Sequence, residues 1–95
     1  MFVAVASVDI QIGDKNSLKA KRKILRGVIE RTKNKFNVSI AETGHNDLWQ
    51  RTEIGFSIVS NDKSHVNSSA DKVMDFLHSF PEINIIQTNL EIIGF

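Results

Sequence analysis

The hydrophobic period of this chain switches from that of a strand to that of a helix and back, twice, and this alternation leaves few folds open. Phe2, Ala4, Ala6, Val8, Ile10 and Ile12 fill every even position at the start, while the odd positions run from Val3 and Val5 to Ser7, Asp9 and Gln11. Successive strand side chains point to opposite faces, so this pattern is a strand with one core face. Gly13, Asp14 and Asn16 mark its end, and Ser17 is placed to cap a helix. From Leu18 the spacing turns helical. At about 100° per residue, Leu18, Ile24, Leu25, Val28, Ile29 and Phe36 share an arc of about 140°, with Thr32 among them. Lys21 falls inside the same arc, where its stem either snorkels out near the helix end or its ammonium pairs with a carboxylate such as Glu42.

Val38 and Ile40 then alternate with Asn37, Ser39 and Ala41 as a short strand. Glu53 to Ser60 alternates again, with Ile54, Phe56 and Ile58 on one side. A hairpin joins the two strands through a loop of roughly nine residues. In that loop Gly44 is expected to supply a positive φ, and Asn46 and Asp47 to bond their own backbone. Asn61, Asp62 and Ser64 signal a second helix, and Val66, Ala70, Val73, Leu77 and Phe80 recur at helical spacing until Pro81 stops it. The last strand sets Ile86, Leu90 and Ile92 on one face and Gln87, Asn89 and Glu91 on the other. The order β α β β α β, with right-handed crossovers, predicts an α+β protein of the ferredoxin-like kind. It is a two-layer sandwich in a single domain over residues 1–95, with a four-stranded antiparallel sheet and two helices on one face. The even faces of all four strands are expected to meet those helices.

The composition supports one modest core. Of 95 residues, 41% are hydrophobic and 24% charged, proportions of a globular chain and not of a disordered one. There is no cysteine, which excludes disulfides, thiolate metal sites and cysteine nucleophiles and makes the reducing cytosol the simplest compartment. The segment from Met1 to Ile12 lacks a basic start and is broken by Ser7 and Asp9, and no run approaches the roughly eighteen apolar residues of a membrane span. A cytoplasmic protein without a targeting segment or membrane contact is expected.

Charge is the strongest functional signal. Nine of the twelve Lys and Arg residues lie between Lys15 and Lys35 against a single acid, Glu30, a local net of +8; elsewhere three bases face ten acids, a net of −7. Such polarity favours a polyanionic partner over a small substrate. On the helix, Lys19, Arg22, Lys23, Arg26 and Lys33 gather on one flank of about 100°. They are the candidate nucleic-acid-binding residues, able to neutralise phosphates without reading sequence. The competing interpretation is a solvated helix face.

Other residues point less sharply. Glu42, His45 and Asp47, with Glu53 nearby, offer oxygen and imidazole groups for a divalent metal or an acid/base pair, but turn chemistry explains much of this segment more simply. His65 and His78 have no motif around them and are expected at the surface. Trp49 is expected to pack, with an interface role next. No phosphate-cradling glycine loop, Gly-x-Ser-x-Gly or His-Glu-x-x-His motif occurs, and neither a catalytic residue nor a cofactor is implied. Val3, Val5 and Val59 lie on the sheet face away from the helices and form a candidate oligomer interface.

Ser17-Leu18-Lys19-Ala20-Lys21-Arg22, Phe36-Asn37-Val38-Ser39-Ile40-Ala41-Glu42, Asp47-Leu48-Trp49-Gln50 and Val59-Ser60-Asn61-Asp62 together resemble the YlxP-like family of small bacterial proteins, over nearly the whole chain. The resemblance implies a ferredoxin-like fold and, because members are often encoded beside initiation factor 2 and ribosome-binding factor A, a link to translation or ribosome maturation. Relatives commonly carry a proline-containing turn where this chain has Gly13-Asp14-Lys15. The same segment lacks the arginine-bearing glycine loop of acylphosphatases, so fold analogy does not carry that activity. The expected function is that of a non-enzymatic accessory protein that binds structured RNA or a ribosomal subunit through its first helix. The alternative is a homo-oligomeric interaction module whose basic helix meets an acidic protein.

Overall fold

A computed structural model describes residues 1–13, 17–45 and 48–95. Strand β1 runs Phe2–Ile12, helix α1 Leu18–Lys35, strand β2 Ser39–Gly44, strand β3 Arg51–Ser60, helix α2 Lys63–His78 and strand β4 Ile83–Gly94. The sheet order is β2-β3-β1-β4, and every neighbouring pair is antiparallel. The even side chains of β1 and β3 form the floor of the core. Ala4, Ala6, Val8, Ile10 and Ile12 are buried beside Ile54, Phe56 and Ile58.

Both helices lay one stripe on that floor with the same spacing. In α1 it is Lys21, Leu25, Val28 and Thr32; in α2 it is Val66, Ala70, Val73 and Leu77. These spacings of four, three and four residues keep a single face turned inward. The Ser17 side chain accepts from the Ala20 N–H and starts α1. The Asp62 carboxylate accepts from the Ser64 and His65 N–H groups and starts α2. At the far edge Phe36, Phe76 and Phe80 meet edge to face and close the gap between the helices.

The hairpin and β4 depart from the sequence pattern. β3 begins at Arg51, so the β2–β3 loop is shorter than the spacing suggests, and Thr52 joins the core. Gly44 does not take a positive φ; that conformation falls one residue later on His45, at φ 58°. Asp14, Lys15, Asn16, Asn46 and Asp47, with the turns expected there, lie outside the described residues. In β4 the register with β1 shifts between Asp9 and Ile10, so that Asp9 faces Gln87 but Ile10 faces Ile85. This bulge reverses the parity of β4, so Ile83 and Ile85 pack on the core and Ile86 is turned out, at 48% exposure. The even-face rule therefore holds in β4 only beyond the bulge. The chain ends meet beside each other: the Met1 ammonium donates to the Phe95 carbonyl at 2.6 Å, and the Phe95 N–H donates to the Met1 carbonyl at 2.7 Å.

Candidate nucleic-acid interface

Helix α1 presents the stripe as spaced. Lys19, Arg22, Lys23, Arg26 and Lys33 are all exposed, and among the described residues none forms a salt bridge. Other cations nearby are engaged. Arg31 lies over the Phe80 ring, 5.9 Å from its centroid, and the Lys35 ammonium lies 4.8 Å from that of Phe76. At 1.5 Å per residue the stripe from Lys19 to Lys33 is about 21 Å long. Ser17, Lys19, Ala20, Arg22, Lys23 and Arg26 line an open depression along its first half.

The start of α1 is anchored by a buried ion pair. The Lys21 ammonium, whose side chain is 1% exposed, donates to Glu42 Oε2 at 2.9 Å and to the His45 carbonyl at 2.7 Å. The Thr52 hydroxyl donates to the same Glu42 oxygen at 2.6 Å, and the Leu48 N–H donates to the same His45 carbonyl at 3.1 Å. Lys21 thus ties the β2–β3 loop to the first turns of α1. Its charge serves the architecture, while its neighbours on the helix face solvent. The pairing with Glu42 is realised and the snorkelling alternative is not. Thr52 has no motif around it, and only its parity with Ile54 and Phe56 hints at its burial.

Of the Glu42, His45 and Asp47 cluster, only Glu42 and His45 are among the described residues. Glu42 Oε2 is occupied by Lys21 and Thr52, and among the described residues no group of three His, Asp or Glu side chains converges. The His45 ring points instead toward Asp9 on the open face, with Nε2 4.0 Å from Oδ1. Asp9 is held by Arg51 at 2.7 Å, which offsets the like charge of Glu53 directly across the ladder. His65 and His78 are exposed, as expected. Trp49 is not packed in the core; it is 36% exposed on the loop beside the exposed Leu48.

On the open sheet face Val3 is half-buried, whereas Val5 and Val59 are exposed. Val3 pairs with Val59 on one side and with Ile93 on the other, so the apolar row crosses three strands. A separate groove runs between α1 and the end of α2, with Ile24, Gly27, Val28 and Phe80 along it and Lys23, Arg31 and Glu82 at its rim. Among the described residues, no helix is long and apolar enough to cross a membrane.

This arrangement defines a ferredoxin-like α+β protein. Solved structures agree at the level of fold: the de novo designed protein Foldit4 matches with a TM-score of 0.55 at 14% identity, over 98% of each chain. A second de novo designed protein, with a ferredoxin fold, matches with a TM-score of 0.52 at 14% identity, over 95% of this chain and 85% of that one. The chain belongs to the DUF503 family, described as a protein of unknown function, whose model matches residues 3–90. It is 40% identical over 90 residues to the uncharacterized protein YlxP of Bacillus subtilis (strain 168), covering 95% of this chain and 98% of that relative.

Proposed function

We propose that this protein is a non-enzymatic accessory factor that docks α1 on structured RNA, ribosomal RNA being the partner class. One observation carries the reading: five cations stand exposed along one side of α1, and among the described residues no acid is paired to any of them. A solvated face of the same helix would commonly intersperse acids, which relieve repulsion at spacings of three and four residues. Here Glu30 is the only acid of α1. The open sheet face has no aromatic platform, so base stacking on the strands is not the mode; contacts to phosphate position the protein without reading sequence. The resemblance to proteins encoded beside translation factors supports the choice of ribosomal RNA.

The test is a salt titration of RNA binding for wild type and for the double variant Arg22→Glu/Arg26→Glu. About five phosphate contacts give a slope of log affinity against log salt of roughly −3 to −5. The variant should bind every RNA more weakly with a shallower slope, while its melting curve stays close to wild type, because exposed substitutions typically cost no more than about 0.5 kcal/mol each. Absence of wild-type binding at low salt, or equal binding by the variant, would overturn the reading in favour of an acidic protein partner.

A further inference from the structure

The sheet has two edges, and they are built differently. β2 is six residues long and its register breaks between Glu42 and Gly44, as edges that avoid further pairing commonly do. β4 is twelve residues long, contains no Lys, Arg or Pro, and carries one charge, Glu91.

The direction of its free main-chain groups follows from the chain ends. Met1 and Phe95 exchange both hydrogen bonds, which makes them a closely spaced pair. Antiparallel ladders alternate bonded and non-bonded pairs. The pairs Val3–Ile93, Val5–Glu91, Ser7–Asn89 and Asp9–Gln87 are then bonded across to β1. The N–H and C=O groups of Thr88, Leu90 and Ile92 consequently point out from the edge. The bulge ends the regular ladder at Gln87, beyond which it runs unbroken to Gly94; the free groups of Thr88 and Ile92 lie symmetrically about Leu90, and a centre there keeps Glu91 from facing its own copy.

We propose that β4 is a dimerisation edge whose partner is a second copy of this chain. The two β4 strands pair antiparallel about a twofold axis through Leu90 and perpendicular to the sheet. The product is one eight-stranded sheet with all four helices on the same face. Leu90, exposed on the helix side, meets its own copy at the axis, and Thr88 meets the partner's Ile92. Glu91 meets the partner's Asn89, so the only charge of the strand opposes no like charge. A strongly charged peptide would find no counter-charge on this edge, whereas the strand complements itself. The open sheet face is the weaker surface for self-association. Its apolar row Val59, Val3 and Ile93 shares that face with Asp9, Arg51, Glu53 and Glu91, which face-to-face stacking would strip of water.

The absence of cysteine makes the test clean. Wild type in sedimentation equilibrium should be a dimer in exchange with monomer. Leu90→Lys, which opposes two ammonium groups at the axis, should weaken dimerisation at least about tenfold. Thr88→Pro removes an outward N–H without breaking a bond to β1 and should act in the same direction. Circular dichroism serves to show that each variant is folded. Leu90→Cys should cross-link to dimer under mild oxidation, since bonded antiparallel pairs have Cα atoms about 5.5 Å apart, within disulfide reach. A wild type that remains monomeric throughout overturns the proposal. So does a dimer insensitive to both edge variants, or one that cross-links through Val59→Cys and not through Leu90→Cys.

Discussion

Lys21 and Glu42 differ in how deeply they are buried, and the difference predicts an order of damage. The Lys21 side chain is 1% exposed, that of Glu42 18%. Removing one partner of a buried pair leaves the other charge uncompensated, at a cost of about 3–5 kcal/mol when both are deeply buried. Lys21→Met leaves a carboxylate that still accepts from Thr52 and reaches some water. Glu42→Gln leaves an ammonium shut away from solvent with no counter-charge, held only by neutral oxygens such as the His45 carbonyl and the new amide. Glu42→Gln should therefore be the more destabilising of the two, with Lys21→Met costing about 2–3 kcal/mol and lowering the melting temperature by roughly 10–20 °C. Thermal denaturation of both variants and of the double variant checks the order, and equal losses would contradict it. This pair was partly legible in the sequence: the helical angle of Lys21 puts it among apolar residues, which requires either an escape route or an acid. Thr52 and the His45 carbonyl were not legible, because they come to Lys21 through loop geometry and not through periodicity.

At the scale of elements, Gly27 separates helix propensity from packing. A Cβ built there meets nothing within 4 Å, so no contact in the fold demands glycine. Glycine in a helix interior costs about 0.8–1.0 kcal/mol relative to alanine. Gly27→Ala should raise stability by about that amount and the melting temperature by roughly 4–8 °C, as read in a thermal melt. The new methyl group enters the groove between α1 and Phe80, which of the stripe reaches Lys23 but not Lys19, Arg22, Arg26 or Lys33. RNA affinity should therefore stay unchanged; a loss would move the binding surface into that groove. The same scale shows where periodicity succeeds and where it fails. β1 is readable because its two faces differ in chemistry along most of its length. β4 is not, because Ile83, Ile85, Ile86, Ile92 and Ile93 supply apolar residues on both parities, and the bulge chooses between them. Phe56 and Leu25 are buried, as even parity and the helical arc require.

For the whole molecule, the charge asymmetry visible in the sequence acquires a direction only through topology. From Leu18 to Lys35 the basic segment is α1, with eight bases against Glu30 on the helix layer, whereas Asp9, Glu53 and Glu91 sit on the opposite, open face. A docked polyanion would therefore meet α1 and leave the acidic sheet face away from it. The juxtaposition of the Trp49 loop with the start of α1 lay beyond sequence reasoning, since a twenty-four-residue separation between Lys21 and His45 is closed by one hydrogen bond.

The paired chain ends carry a mechanical consequence. Met1 and Phe95 lie at the same end of adjacent antiparallel strands, joined by two hydrogen bonds. Traction applied to both termini acts along the hydrogen bonds of the β1–β4 ladder, not across them, and loads the ladder one bonded pair at a time. The molecule should unzip from its termini at low force, well below what it would withstand if gripped at opposite ends of two neighbouring strands. A handle at either terminus would also sit beside the first pair to open, so pulling from the two ends would split the central strand from its edge before disturbing either helix.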